Sequence, residues 1–569
     1  MHKIVTVAQM RAIEQEGDAS GVSYVQMMDN AGRSLADRVL DLLADSPPVK
    51  ITVLVGSGNN GGDALVAGRL IAGESDHEVV FYLTKARTDD DPNYKAVNEA
   101  GLLVALAQDD QNFRALKQTL NTSQIVIDGI LGIGLKLPIK GELARLLKTV
   151  NSTLQRLRED ASTRAYVTPA CPEYGRRAPW PYVIAVDCPS GLDCDTGELD
   201  SVAIHADETV TFAAAKIGQV LMPGAAACGT LHIADIGLPA RLDALNTVSL
   251  EMPTAASVRQ MLPTWPLDAH KGTRGKVMSV TGSLNFTGAA SLAAEAAYRA
   301  GAGLVTVAAP QIIVPALAAR LPEPTWLLLP HDLGVIAEEA APLLRKEIAS
   351  YSALLLGPGW GQEDATRDFL LAMLNEPEIE ARHHRIGFAP VTDAQEAARP
   401  NPATDLPPLV IDADGLNLLA SLERWWDYVP PNTILTPHPG EMVRLTGLSR
   451  EEVNATRLTL PVEKAHEWGC VVVLKGAFTV IAAPDGRTAV LPFAEPALAT
   501  AGTGDVLAGT ITGLLAQGCE PFAAAVAGGY AHGLAGTLAA RRLGTPRSVT
   551  ARDVLAALPE AFSIIENAR

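Results

Sequence analysis

The segment GSGNNGGD at 56–63 directly follows the apolar run ITVLV. Gly56, Gly58 and Gly61 spell the GxGxxG letters of a dinucleotide fingerprint. Glycines at the start of a helix expose backbone N–H groups that suit a phosphate. Two features weaken that reading. The second strand ends in Thr84-Lys85, with no acid for a ribose diol. Asn59, Asn60 and Asp63 are also polar side chains that the fingerprint does not need. A plain strand-to-helix turn is the competing reading. DGILGIG (128–134) places Asp128 at the end of another apolar run, and DCPSG (187–191) places Asp187 and Ser190 at a third. In an open α/β sheet such strand ends converge on one crevice. Asn, Asp and Ser together offer hard oxygen ligands, which fit an alkali or alkaline-earth cation better than zinc. Each residue alone reads as a turn or a helix cap; three agreeing strand ends favour a site.

The second half carries a different set. GTGD (502–505) precedes the apolar pattern VLAGTITGLL, so the amides around Gly502 and Gly504 can face an anion while Asp505 takes a proton. KGAFT (475–479) follows CVVVL as a strand-to-strand turn, where Lys475 and Thr479 can contact nucleotide phosphates and Gly476 keeps the turn open. HPGE (438–441) follows TILTP; His438 alone reads as a satisfied loop histidine, but its neighbours suggest a shaped site. GPGWG (357–361), DADGLN (412–417), HKGTRGK (270–276) and GSLNFTGAA (282–290) flank further apolar runs.

The elements that must position these residues are short apolar strands alternating with helical patterns. Strands are expected at 51–55, 79–83, 125–127, 183–186 and 209–212, then at 277–281, 304–308, 353–356, 409–411, 433–435 and 471–474. Continuous apolar strands separated by helices imply parallel sheets buried on both faces. The fold class is α/β, twice over, with a boundary near 237–255, where the rhythm pauses. Segments 156–180 and 378–408 lack apolar periodicity and read as surface loop insertions. No internal repeat is apparent.

The chain has 569 residues, with 46 Lys+Arg against 64 Asp+Glu and a net charge of −18. Such a balance argues against nucleic-acid binding, which needs clustered positive charge. Its 48% apolar and 19% charged residues exclude a disordered chain and supply large cores. Six scattered cysteines, none in a CxxC pair, argue against zinc and for reduced thiols of an intracellular protein. The opening residues lack the apolar core of a signal peptide. The uncharged stretches 300–319 and 521–540 carry prolines, glycines and polar residues, and read as buried elements rather than membrane spans. A cytoplasmic protein without membrane partners is expected.

NNGGD, DGILGIG, DCPSG and TFAAAK (211–216) resemble the NAD(P)H-hydrate epimerase domain over roughly 1–235. The resemblance implies a Rossmann-like domain at 1–240 that interconverts the R and S epimers of hydrated NADH or NADPH. It implies potassium on Asn60, Asp128 and Ser190. It implies substrate contacts at Asn59, Asn60, Gly61, Gly62, Asp63 and at Gly132, Ile133, Gly134, Leu135, Lys136, Leu137 and Pro138. Asp187 would face the reacting ring as the catalytic group, with Lys216 as a second polar group. Ala64 departs from the glycine usual after NNGGD. HPGE, KGAFT and GTGD, in that order, resemble the ADP/ATP-dependent NAD(P)H-hydrate dehydratase of the ribokinase-like superfamily, over roughly 255–569. This implies a domain at 250–569 with ADP on Lys475, Gly476, Ala477, Phe478, Thr479 and Gly504. The hydrated dinucleotide would lie near Ala289, Gly361, His438 and Asp505, with Asp505 as the catalytic base and Mg2+ accompanying the phosphates. The partners implied are small molecules, and a homo-oligomer is left open. Two other readings compete. One is a ribokinase-type small-molecule kinase fused to a dinucleotide-binding domain, in which HPGE has no evident job. The other makes the first half a non-enzymatic sensor, in which Asp128 and Asp187 have none.

Overall fold

The computed structural model describes residues 1–568 except 89, 164–180 and 376–405. The chain separates into two compact units, His2–Ser249 and Leu250–Arg569.

The first unit is built on a parallel sheet of seven strands. Their spatial order is Leu103–Leu106, Glu78–Leu83, Lys50–Val55, Ile125–Gly129, Tyr182–Val186, Glu208–Phe212 and Thr230–Ala234. The direction of progression reverses between Lys50–Val55 and Ile125–Gly129. The loops leaving these two neighbours therefore part and open a crevice. The central strands are apolar and buried on both faces, as parallel pairing beneath helices requires. Helix Asn59–Glu74 starts inside the NNGGD segment and packs on helix Tyr24–Leu42. The approach is close: a methyl on Gly32 would lie 2.5 Å from Val66 Cβ. A short pairing of His2–Val5 with Ala215–Lys216 fixes Lys216 on rigid backbone.

The second unit carries seven parallel strands in the order Thr325–Leu329, Leu304–Pro310, Lys276–Val280, Ala353–Leu356, Leu409–Ile411, Ile434–Leu435 and Val471–Leu474. Val480–Ala482 and Thr488–Val490 extend it in antiparallel fashion, and Leu250–Met252 pairs parallel to the last. Alternate residues feed two cores. Val277, Leu355, Val410 and Val473 face one. Met278, Leu354, Ile411 and Leu474 face the other. The first core is alanine-rich, formed with helices Thr287–Arg299, Thr503–Ala516, Pro521–Leu543 and Ala551–Glu566. Small residues let these helices close on one another: a methyl on Gly509 would lie 2.2 Å from the Ala293 carbonyl oxygen. Larger side chains, including Trp360, Phe369 and Trp425, fill the second core.

Every strand expected above is present, with ends shifted by a residue or two. The expected 156–180 loop is corrected at its start, because helix Gly141–Thr163 runs through 156–163. Leu146, Leu147, Val150 and Leu154 recur at helical spacing on its buried side and carry the helix onward. The rest of that segment, 164–180, and 378–405 of the other lie outside the described residues; Leu406 packs on the second core. Residues 304–310 form a strand and 521–543 a buried helix. Among the described residues no helix is long and apolar enough to cross a membrane. Cys188, Cys194, Cys228, Cys470 and Cys519 are free thiols; Cys171 lies outside the described residues.

Candidate functional sites

In the first unit a cleft of about 990 Å³ opens at the reversal point. Asn59, Asn60, Gly62 and Asp63 from the helix start line it, with Gly132, Ile133, Gly134 and Leu135 from the loop after Ile125–Gly129. Asp187 and Lys216 line it as well. Lys136, Leu137 and Pro138 continue the loop beyond that lining, and Gly61 is buried behind it. Gly61 has a packing reason for its type: a methyl there would lie 2.2 Å from the Gly56 carbonyl oxygen.

Asp187 sits in the left-handed region at φ +61°, held by its neighbours. Its Oδ1 accepts from Lys216 Nζ at 2.5 Å, Thr211 Oγ1 at 3.0 Å and the Phe212 amide at 3.2 Å. Lys216 is 1% exposed, so this is a buried ion pair at the cleft floor. Two more acids face the same space. Burial, and then the nearby Asp187 charge, raise the carboxyl pKa values of both Asp63 and Glu14. Arg87 was not legible in the sequence; its Nη2 donates to the carbonyls of Gly56 and Gly58, both at 2.7 Å, and shapes the glycine loop.

Leu131 on the cleft wall links Asn60 to the Asp128–Ser190 pair, its amide donating to Ser190 Oγ at 2.9 Å. Ser190 donates to Asp128 through its hydroxyl at 2.6 Å and its amide at 2.8 Å. Asn60 Nδ2 donates to the Leu131 carbonyl at 3.1 Å, and among the described residues Oδ1 accepts no hydrogen bond. Asp128 is fully buried, no cationic side chain pairs with it among the described residues, and burial pushes its carboxyl up to about 6. An all-oxygen set around an uncompensated buried carboxylate fits a hard monovalent or divalent cation.

In the second unit the loops leaving the parallel strands converge. Asp412, at the end of Leu409–Ile411, is 1% exposed and accepts from Lys475 Nζ at 2.7 Å. Glu441 Oε2 lies 3.7 Å from the same ammonium. Burial alone would lower the Lys475 pKa, but Asp412 and Glu441 raise it above the ordinary lysine value. Burial pushes Glu441 up to about 7. Gly504 closes against this pair, for a methyl there would lie 3.7 Å from Lys475 Nζ and 3.9 Å from Asp412 Oδ2. The helix begins at Thr503, with Gly502 capping it at φ +90°, so GTGD does not precede the helix as expected. Asp505 sits in its first turn, and burial followed by repulsion from Asp412 pushes its carboxyl up to about 7. His532 is buried beneath, its Nε2 2.9 Å from the Thr503 carbonyl. Burial lowers its pKa to about 4, so the neutral ring donates and pins the helix start.

His438 caps helix Pro439–Thr446, its Nδ1 accepting from the amides of Gly440 at 2.9 Å and Glu441 at 3.1 Å. Burial, then Lys475, lower its pKa, in keeping with a neutral acceptor. The bland reading of His438 as a satisfied residue is therefore partly right, and its other edge remains half-exposed. The Gly361 amide donates to Asp414 Oδ2 at 3.0 Å, and a methyl on Gly359 would lie 2.7 Å from Ala289 Cβ, so these loops share one wall. Ala477 and Gly476 are exposed in the Lys475–Thr479 turn; Phe478 adopts φ +52°, and the Thr479 hydroxyl donates to the Gly476 carbonyl at 2.9 Å. Asp412 and Glu441 lay inside recognised motifs without being singled out. Their roles appear only once a lysine 63 residues away from Asp412 is folded against both.

A switch-point cleft in one unit and a glycine-bounded acid beside a lysine in the other define a two-domain α/β enzyme of nucleotide chemistry. Residues 25–218 match the family described as YjeF-related protein N-terminus. Residues 277–379 and 390–560 match the family described as NAD(P)H-hydrate dehydratase. The bifunctional NAD(P)H-hydrate repair enzyme Nnr of Moorella thermoacetica is 34% identical, over 99% of this chain and 97% of its own length. That of Thermofilum pendens is 32% identical over 98% and 96%. The ADP/ATP-dependent NAD(P)H-hydrate dehydratase of Bacillus subtilis, a structure co-crystallised with ATP and Mg2+, is 29% identical. It covers 55% of this chain and 98% of its own, with a TM-score of 0.43. The chain belongs to the family of bifunctional NAD(P)H-hydrate repair enzymes.

Proposed function

We propose that the first unit epimerises hydrated NADH and NADPH at nicotinamide C6 and that the second dehydrates the S form at the expense of ADP. Asp505 carries the second assignment: burial pushes its carboxyl up to about 7, in the first turn of a helix whose Gly504 comes close to Lys475. There it takes the proton of the C6 hydroxyl as that oxygen attacks the terminal phosphorus of ADP and AMP leaves. The Gly504 amide stabilises the developing negative charge. Loss of phosphate from C6 and of a proton from the adjacent ring carbon restores the double bond. Mg2+ neutralises phosphate charge when bound. A cation that takes few protein ligands beside phosphate and water oxygens would be held there by the carboxylates of Asp412 and Asp414.

In the first unit the NNGGD segment and loop 132–135 hold the dinucleotide, and the Asp187–Lys216 pair faces the reacting ring. Potassium fits Asn60 Oδ1, Asp128 and Ser190, whose oxygens would hold it, and its charge would compensate the buried carboxylate. The substrates are small molecules that belong to the cytoplasm, the location we infer.

A ribokinase-type kinase would use a similar acid beside a similar turn, and the near-full-length kinship with repair enzymes favours the repair reading. The two differ in product. Incubating the chain with ADP and chemically hydrated NADPH should release AMP and phosphate as the reduced-nicotinamide absorbance returns. Conversion of a sugar or vitamin alcohol to a stable phosphate ester, with no absorbance recovery, would instead select the kinase.

A further inference from the structure

The nucleotide loop has a charge problem. Lys475 is its obvious phosphate contact, but that ammonium is already paired with Asp412 at 2.7 Å and approached by Glu441 at 3.7 Å. Asp505 stands in the same cluster, so its side chains carry no surplus positive charge for a polyanion. One cation nearby is differently placed. Arg457, partly buried, lies against the turn from outside the motifs. Its Nη2 donates to the carbonyls of Leu474 and Lys475, at 3.3 and 3.0 Å. A methyl on Gly476 would lie 2.7 Å from Nη2 and 3.1 Å from Nη1, so the guanidinium is stacked on the turn itself. No carboxylate pairs with it among the described residues, and its Nε and Nη1 have no hydrogen-bond partner there. Burial lowers its pKa to about 10, with no acidic neighbour to offset the effect, so it remains charged at neutral pH.

A partly buried cation without a counter-ion is costly unless something supplies the anion. Guanidinium groups bind phosphate through their planar fork. We infer that Arg457 is a phosphate-binding residue of the nucleotide site, supplying through Nη1 and Nε the positive charge that Lys475 spends on Asp412. The ligand chemistry is that of a nucleoside diphosphate. The inference rests on the placement of ADP at Lys475–Thr479 proposed above.

Two substitutions in the full chain separate this role from a structural one. Arg457→Gln can still donate to a loop carbonyl but is neutral. Arg457→Lys keeps the charge but loses the fork. By titration calorimetry, Arg457→Gln should weaken ADP binding about ten- to a hundredfold, the range of a charge-assisted bond. Arg457→Lys should bind ADP more tightly than Arg457→Gln, and its advantage should shrink as salt rises. If Arg457 merely fastens the turn, the order reverses, with Arg457→Gln near the parent. That order, or ADP affinity within threefold of the parent in both variants, overturns the inference. Either variant alone decides if the other fails to fold, since Arg457→Gln near the parent or Arg457→Lys weakened beyond a hundredfold contradicts it. Absence of ADP binding to the parent chain would instead overturn the placement of the nucleotide.

Discussion

At the scale of single residues, burial and neighbouring charge turn ordinary side chains into reagents. Asp505 has its carboxyl at about 7 because it is buried beside Asp412, so it can both accept and release a proton near neutrality. Asp505→Asn keeps the shape and is an equally good helix-start residue, but it cannot take the proton. Turnover of the S hydrate should fall about 10²–10⁴-fold, roughly 3–5 kcal/mol of barrier, with ADP affinity little changed. Steady-state rates with calorimetric ADP binding on the same variant check this; turnover within threefold of the parent would leave Asp505 a helix-start residue only. The sign of the pH dependence follows from the same group. A base works deprotonated, so kcat/KM for dehydration should climb as pH rises through about 7 and lose that limb in Asp505→Asn. In the first unit Lys216→Met would strand Asp187 without its partner. Breaking a buried pair in this way typically costs about 3–5 kcal/mol. Denaturant unfolding should show that loss in the first unit, and epimerisation should vanish while the S hydrate is still dehydrated.

At the scale of elements, the continuous apolar runs that become central parallel strands were legible, because burial on both faces leaves no polar alternation to confuse them. Leu103–Leu106, Thr325–Leu329 and Thr230–Ala234 were not, since these strands lie at or near sheet edges and expose part of their length. The glycine-bounded site loops were legible by composition, for they sit where strands end. Their partners were not: Asp412 with Lys475, Arg87 on the 56–58 carbonyls and Arg457 on the 474–476 turn are pairings that only the folded chain makes. The start of helix Thr503–Ala516 was placed too late because Gly502 and Gly504 resemble loop residues, whereas Gly502 is the left-handed cap. This helix is seated by close contact with Thr287–Arg299. Gly509→Ala would push a methyl to 2.2 Å from the Ala293 carbonyl oxygen, so backbone must move. Overpacking of this kind costs about 1–3 kcal/mol. A lower unfolding midpoint for the second unit with reduced dehydration and intact epimerisation is expected; an unchanged midpoint would mean that the helices separate freely.

At the scale of the whole molecule, the two units carry separate sites with separate demands. On the proposed reading the first would take a dinucleotide and a cation, the second a dinucleotide and ADP. Their union on one chain answers a stereochemical problem, because a dehydratase selective for the S hydrate leaves the R form unrepaired. Asp128→Ala removes an oxygen from the Asn60–Ser190 cluster of the first unit and touches no residue of the second-unit site. The measurement that tests the account most directly gives the full chain a mixture of both NADPH hydrate epimers, excess ADP, Mg2+ and potassium, and follows the reduced-nicotinamide absorbance to its end point. The parent should restore the absorbance of the whole mixture, while Asp128→Ala should restore the S share at the parent's rate and then stall at the pace of spontaneous epimerisation. A parent chain that itself stalls after the S share, or an Asp128→Ala chain that completes the conversion as fast as the parent, would contradict the assignment of epimerisation to the first unit.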